Sequence, residues 1–444
     1  VRLEQLRQFR IGVLGYGREG RSAVSALLEY YPDVDLTVLV ESGETPDQAR
    51  SVSGPFAAGQ LQSYEILLRS PGVPINHPAL VAFRNQGGQV INPASIWFSE
   101  RPELVVAGVT GSKGKSTTAS ILAHLLCGAG HDVLLAGNIG VPLLDHLNTS
   151  ARFVVAELSS YQLADLQGRL RLGIMTRLFP EHLDWHGDQI HYFFSKLRLA
   201  DLLEGDPLVI NGRDPVLNAA TMAVPGRIEG NRSPGFHRGD DRIYLDRLPL
   251  VSSRELALVG RHNLDNAALA MEAAHLLGCD LRLIVDSLRR FQPLAHRLEF
   301  IAQAHGRRWV NDSIATSPHA TRAALEALQT MPVTLIAGGQ ERPADWQPVI
   351  DWCHDHVLAG LVVLPDNGQD VARRLIAEGV IKPEQVQVVD DIEAAVDAAV
   401  LRSAPGGTVL LSPGAPSFPH FRDFEQRGDR FRAAVAAYRD RSTA

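Results

Sequence analysis

The stretch Leu104-Val-Val-Ala-Gly-Val109-Thr110-Gly111-Ser112-Lys113-Gly114-Lys115-Ser116-Thr117 decides how the rest of the chain is read. Its β-branched opening predicts a buried strand over Leu104–Val109. Apolar residues at Ala119, Ile121, Leu122 and Leu125 predict a helix after it. The loop between them ends in Gly-Lys-Ser. In this setting such a loop cradles phosphates with its backbone N–H groups. Lys115 would then reach the β and γ oxygens and Ser116 would bind Mg²⁺. The long form of the motif has glycine five residues before Gly114, but Val109 stands there. The loop is therefore a shortened variant, T-G-x-x-G-K-S-T. The bland alternative is a glycine loop with an incidental lysine. The strand before and the helix after weigh against it, and Lys113 reads as a solvated loop residue.

Working outward, short β-branched runs alternate with helical stretches to both ends, which predicts an α/β protein with mostly parallel sheets. One block opens at Ile11-Gly-Val-Leu14. A second opens with the phosphate loop. The third holds Trp309-Val-Asn-Asp312, Val333-Thr-Leu-Ile-Ala-Gly-Gly339 and Thr408-Val-Leu-Leu-Ser-Pro-Gly414. Pro102 and the segment 293–298 mark the joints, giving domains over 1–99, 100–297 and 298–444. The stretch 224–255, rich in Gly, Arg and Asp, reads as a peripheral β excursion.

Composition narrows the function. In 444 residues, 43 Lys+Arg against 50 Asp+Glu give a net charge of −7, which leaves no general footprint for nucleic acid or an anionic membrane. Cys127, Cys279 and Cys353 are odd in number and far apart, so neither a disulfide framework nor a thiolate zinc site is expected, and a reducing cytoplasm fits. No apolar run approaches the length of a membrane span. The first seven residues are charged and carry no apolar core, so no signal peptide is expected in them.

Further motifs are candidates for chemistry. Gly15-Tyr-Gly17-Arg18-Glu19-Gly20 follows a strand and opens a helix, which suits a nucleotide diphosphate. Glu41 ends the next strand, where a ribose-binding acid would lie. The pattern does not identify the nucleotide, and NAD is the obvious candidate. Glu157 closes the run Phe153-Val-Val-Ala-Glu157 at a strand end and could bind Mg²⁺. The triplet His182, Asp184, His186, after a strand over Leu172–Phe179, reads as a solvated loop rather than a zinc site. His182 is kept as a contact for Mg²⁺ or phosphate. Lys196, in an apolar helix, would ordinarily snorkel to water. Asn263 and Asn266, near a helix start, either read a base edge or serve as caps.

The order of these motifs adds more than any one of them. The glycine loop, T-G-x-x-G-K-S-T, Gly137-Asn138-Ile139-Gly140, E-L-S-S-Y-Q-L, E-H-L-D-W-H, S-K-L-R, G-x-H-N-x-x-N, His296-Arg297, N-D-S-x-A-T and S-P-x-x-x-S run through nearly the whole chain. This order resembles the Mur ligase family, on the side that joins glutamate to UDP-N-acetylmuramoyl-L-alanine in peptidoglycan synthesis. The resemblance implies three domains: N-terminal Rossmann-like, central P-loop ATPase-like and C-terminal Rossmann-like.

It also implies roles. Gly15, Arg18, Glu19, Gly20, Glu41, Ser70, Pro71 and Gly72 would surround UDP rather than NAD. Asn138, Ser159 and Gln162 would approach the muramoyl-alanyl part. Gly111, Ser112, Lys113, Gly114, Lys115, Ser116 and Thr117 would hold ATP, with Asn263, Asn266, Arg297 and Asp312 at its adenosine and ribose. Ser116, Glu157, His182 and Lys196 would serve two Mg²⁺ ions, Lys196 as a carbamate. Lys115, His182 and Lys196 would be the catalytic set, acting through an acyl phosphate. Thr316, Arg342, Ser417 and Phe424 would meet glutamate. The protein would be a cytoplasmic monomer with no nucleic-acid or membrane partner.

Where D-glutamate ligases carry a lysine after N-D-S, this chain has Ile314, and the later lysine is replaced by Arg342. A variant of the family that attaches L-glutamate, and works with a separate epimerase, is similar in these respects. L-Glutamate is therefore expected over D-glutamate.

Overall fold

The computed structural model describes residues 1–41, 44–258, 260–292, 295–329, 331–341 and 344–441. It contains several mostly parallel sheets in a mixed α/β fold. The chain forms two compact units, Val1–Leu256 with His262–Phe291, and Ala257–Arg261 with Gln292–Ala444.

The first unit opens with a five-stranded sheet of β1 (Ile11–Leu14), β2 (Leu36–Val40), β3 (Arg50–Ser53), β4 (Ile66–Arg69) and β5 (Gln89–Ile91), in the order β3-β2-β1-β4-β5. All its pairings are parallel. Its second sheet comprises β6 (Val105–Thr110), β7 (Val133–Gly137), β8 (Phe153–Glu157), β9 (Leu172–Met175), β10 (Leu208–Asn211) and β11 (Arg227–Gly230), in the order β11-β10-β9-β6-β8-β7. Its registered pairings are also all parallel. The strand of the phosphate loop thus lies between β8 and β9, and their carboxyl ends meet where ligands bind in such sheets. One hydrophobic core serves both sheets. It joins Val13 and Leu68 to Val106 and Val154 through Ile96, Trp97, Phe98, Leu143 and Leu144.

Three expectations need correction. The strand expected over Leu172–Phe179 ends at Met175. The residues after it leave the sheet to wrap the phosphate loop: Ser112 N–H donates to Arg177 O at 2.7 Å and Thr176 Oγ1 donates to Lys113 O at 2.6 Å. Glu41 follows its strand rather than ending it, because β2 stops at Val40. The excursion at 224–255 is only partly peripheral. β11 joins the parallel sheet, while β12 (Phe236–Arg238), β13 (Arg242–Leu245) and β14 (Leu248–Ser252) form a separate antiparallel sheet.

The second unit is one sheet of β15 (Glu299–Ala304), β16 (Arg307–Asn311), β17 (Val333–Gly339), β18 (Leu358–Asp366), β19 (Val386–Val388) and β20 (Thr408–Leu411), ordered β15-β16-β20-β17-β18-β19. Only β15 runs antiparallel. Its two faces carry separate cores, one around Leu325, Leu335 and Val349, the other around Trp309, Val396 and Phe431.

Candidate active site

The phosphate loop runs from the end of β6 into the helix Lys115–Gly128. Gly111 and Gly114 have φ of +144° and +93°. A Cβ on Gly111 would lie 2.1 Å from Thr176 Oγ1, and one on Gly114 would lie 2.5 Å from Asn266 Oδ1. Both positions therefore require glycine on conformation and on space. Lys115 Nζ reaches back over the loop to Gly111 O and Ser112 O, 3.0 Å each. Ser112 is buried, accepts from Tyr192 OH at 2.9 Å and donates to Phe179 O at 2.7 Å. Lys113 pairs with Glu181 at 2.9 Å, so its reading as a solvated residue is incomplete.

Lys196 does not snorkel. It lies on the helix Gln189–Asp201, is 2% exposed, and donates to Gly111 O at 2.8 Å. Burial, and then the neighbouring charge of Lys115, hold its amine well below the ordinary lysine range. The residues around it in the chain give no warning, because the helix turns this face toward a loop 85 residues away.

Glu157 closes β8 beside this loop and is 1% exposed. Asn138 Nδ2 donates to its Oε1 at 2.8 Å. Its Oε2 is buried with no protein partner. An orphaned carboxylate oxygen at that depth is costly unless something cationic meets it, so this residue fits a hard cation such as Mg²⁺. Among the described residues no cluster of three or more His, Cys, Asp and Glu forms a ready-made metal cage.

The E-H-L-D-W-H motif divides: His182, Leu183 and Asp184 are exposed, as the solvated-loop reading expects, while Trp185 and His186 are buried. His182 has φ of +55° and precedes the short helix Leu183–His186. Burial lowers its pKa first, with Glu181 acting in the opposite sense. His186 is buried, with Ser160 Oγ at 3.0 Å from Nε2, and its pKa falls to about 4 through burial and then Lys196. Trp185 and His186 pack on the ring of Tyr161. The polar letters of the motif conceal this aromatic cluster.

In the glycine loop of the first sheet, Gly15 has φ of +81°, and a Cβ on Gly20 would lie 2.1 Å from Gly15 O. Gly17 has nothing within 4 Å of its missing Cβ. Two of the glycines thus serve close packing, and the third borders open space where a diphosphate would fit. Ser70 Oγ donates to Gly15 O at 2.7 Å. Glu41 accepts from Phe56 N–H at 3.3 Å and lies 3.7 Å from His77 Nε2. Arg18 donates to Gly140 O at 3.0 Å. Gln162 Nε2 donates to Glu19 Oε1 at 2.7 Å, and Ser159 and Gln162 form a capping box on the helix Ser160–Leu163. The structure thus brings the first glycine loop to the E-L-S-S-Y-Q-L motif.

Sequence reasoning misses Arg69, Asp165 and Trp185. Arg69 is wholly buried and pairs with Asp165 at 2.6 Å. Its signal is an arginine continuing the apolar run Ile66-Leu-Leu. Asn263 and Asn266 are not caps. Both are buried within the helix Arg261–Leu276, with Asn266 Nδ2 donating to Asn263 Oδ1 at 3.1 Å.

In the second unit, Asp312 accepts from Ser412 Oγ at 2.9 Å and from Leu298 N–H at 3.1 Å, next to Arg297. Ile314 N–H donates to His296 O at 3.1 Å. Ser417 lines a pocket with Gly338, Gly339, Leu364 and Arg427. Phe424 O accepts from Ser313 Oγ at 2.8 Å, and Thr316 is exposed. Arg342 lies outside the described residues.

Comparison with known proteins agrees with this geometry. Residues 109–274 match the Mur ligase middle domain, and 296–415 match the Mur ligase, glutamate ligase domain. A Micromonospora protein named UDP-N-acetylmuramoyl-L-alanine--L-glutamate ligase is 39% identical over 98% of each chain. A Xanthomonas euvesicatoria protein of the same name is 36% identical over 97% of this chain and 96% of its own. Among solved structures, MurF from Acinetobacter baumannii superposes with a TM-score of 0.63 at 17% identity, covering 99% of this chain and 98% of that one. The UDP-N-acetylmuramate-alanine ligase MurC from Thermotoga maritima gives 0.60 at 19% identity, covering 98% and 100%. The fold class, both domain matches and the near full-length relatives agree, and the chain belongs to the Mur ligase family of ATP-dependent, amide-bond-forming ligases.

Proposed function

We propose that this chain joins L-glutamate to UDP-N-acetylmuramoyl-L-alanine in a peptidoglycan precursor pathway. The carrying observation is the near full-length identity to relatives named for that reaction, 39% in the Micromonospora protein. Ile314 supports the L-enantiomer, since it stands where D-adding relatives place a lysine. A separate epimerase would then act on the product. The chain would work as a cytoplasmic monomer.

In this reading Gly111–Thr117 hold the ATP phosphates, and Asn263 and Asn266 meet the adenosine. Lys115 neutralises charge on the transferring phosphoryl group as the alanyl carboxylate attacks it. Glutamate's amine then displaces phosphate from the acyl phosphate. Bound Mg²⁺, at two sites, would supply charge stabilisation at the phosphates. Ser116, Glu157, His182 and Lys196 would hold it. Lys196 suits a carbamate because its amine is buried, and burial lowers its pKa in the direction that favours the neutral, nucleophilic form. The neutral nitrogen adds to CO₂ and loses a proton, which converts an amine into an anionic, carboxylate-like ligand. The glycine loop at residues 15–20, with Ser70–Gly72, would bind the UDP part, and Asn138 the muramoyl-alanyl part. Thr316, Arg342, Ser417 and Phe424 would bind glutamate. Functionally, the chain divides near residues 99 and 297.

Phosphate release with UDP-N-acetylmuramoyl-L-alanine and each glutamate enantiomer tests this. Leaving a buried charge unpaired supports discrimination of about 10²-fold or more, so kcat/KM should favour L-glutamate by that order. A preference for D-glutamate would overturn the stereochemical reading, and no release with either would overturn the substrate reading.

A further inference from the structure

Four successive backbone carbonyls in the turn after β4 are taken by two side chains. Arg69 Nη1 donates to Ser70 O at 3.3 Å, Pro71 O at 3.2 Å and Val73 O at 2.6 Å. Trp185 Nε1 donates to the remaining one, Gly72 O, at 3.1 Å. The Arg69 guanidinium also lies 5.7 Å from the centre of the Trp185 ring, so the two groups support each other.

Arg69 is itself rigidly held. Its Nε and Nη2 meet both oxygens of Asp165, at 2.7 and 2.6 Å, and Nη2 also donates to Tyr161 O at 2.9 Å. Asn92 Nδ2 fixes Asp165 Oδ1 from another side at 2.9 Å. With its charge answered by Asp165 and no exposed surface, Arg69 cannot be a phosphate ligand.

The arrangement sorts the polarity of the turn. In a planar trans peptide the N–H points opposite the preceding C=O. Pro71 and Pro74 have no N–H, and Val73 N–H returns to Ser70 O at 3.0 Å. Gly72 is therefore the residue whose N–H is set by a carbonyl that Arg69 holds, that of Pro71. Gly72 is exposed and a Cβ there would meet nothing within 4 Å, so the backbone at this residue borders open space.

We propose that Arg69 and Trp185 are positioning residues: by holding the carbonyls of residues 70–73 they aim the Gly72 N–H at an oxygen of the UDP diphosphate. This rests on the UDP reading given above. Because Trp185 belongs to the same motif as His182, it also ties the UDP turn to the segment assigned to the metal.

The test is calorimetric titration of the full-length protein with UDP and, separately, with Mg-ADP. Trp185→Phe keeps one aromatic ring by Arg69 and Tyr161 and removes the indole donor together with the second ring's volume. Arg69→Lys keeps the charge and removes the fork, and Trp185→Phe keeps the idea testable if Arg69→Lys does not fold. Kd for UDP should rise about 5–10-fold in Trp185→Phe, the loss of roughly one hydrogen bond, while Kd for Mg-ADP stays within about twofold. In turnover, KM for the UDP substrate should rise without KM for ATP. Unchanged UDP binding, or equal losses for UDP and Mg-ADP, would overturn the inference. A wild-type protein that binds UDP yet releases no phosphate with the substrates above would sink the proposed reaction and leave this inference standing. One that does not bind UDP sinks both.

Discussion

Asn138 grips Glu157 by one oxygen only: Nδ2 donates to Oε1 at 2.8 Å, and Oε2 stays buried with no protein partner. The amide thus selects which oxygen is left for another partner. Partners of this kind, one step behind a metal ligand, typically change metal affinity 10–100-fold when lost. Asn138→Ala should raise the Mg²⁺ concentration for half-maximal phosphate release by about that factor. An unchanged Mg²⁺ dependence would remove Glu157 from the metal site.

Lys115→Ala tests the phosphate loop directly. Losing one preorganised electrostatic contact costs about 10²–10³ in kcat. KM for the UDP substrate should stay within about twofold, since the glycine loop at residues 15–20 is untouched. Steady-state kinetics with each substrate varied in turn decides it; near-normal turnover would contradict the assignment.

Lys196→Ala removes the buried amine and leaves a gap the size of a carbamate. Activity should collapse and return in part with added short-chain carboxylates, and wild-type activity should fall when CO₂ is stripped from the buffer. A fully active Lys196→Ala enzyme would end the carbamate reading.

Glu19 offers a stability test. Burial raises its pKa above the ordinary glutamate value, and the Gln162 hydrogen bond opposes this only in part. The folded state then holds a proton that the unfolded state releases, so stability falls as pH rises from 4.5 through the raised pKa. Glu19→Gln keeps an acceptor for Gln162 and removes the titration. Its Tm should match wild type at low pH and exceed it increasingly above that window. Parallel Tm curves would show that Glu19 does not titrate there.

Motifs with strict backbone demands are legible in the amino-acid sequence. Gly20, Gly111 and Gly114 sit where a Cβ would collide and Gly15 has a φ of +81°, so their spacing alone encodes the geometry of both loops. Glu157 at a strand end is legible for a topological reason, since strand ends of parallel sheets face the ligand crevice. Residues whose role depends on distant segments are not. Lys196 looks like any amphipathic lysine until the helix Gln189–Asp201 is laid against Gly111. His186 sits among polar letters, and only Tyr161 and Tyr192 around it reveal its burial. Asn263 and Asn266 fit a local capping rule, but Asn266 instead packs beside Gly114 of the phosphate loop and bonds to Asn263.

The core shared by the first two sheets bears on how the chain melts and how it can be cut. The helix Pro93–Glu100 buries Ile96, Trp97 and Phe98, and the Trp97 indole donates to His146 O at 3.3 Å, well past the point where the first sheet ends. A fragment ending at residue 99 would turn those three side chains to water, at roughly 1.5–3 kcal/mol each. Residues 1–256 should accordingly lose structure in one cooperative step, so biophysical work on the glycine loop at residues 15–20 needs the second sheet in the same polypeptide.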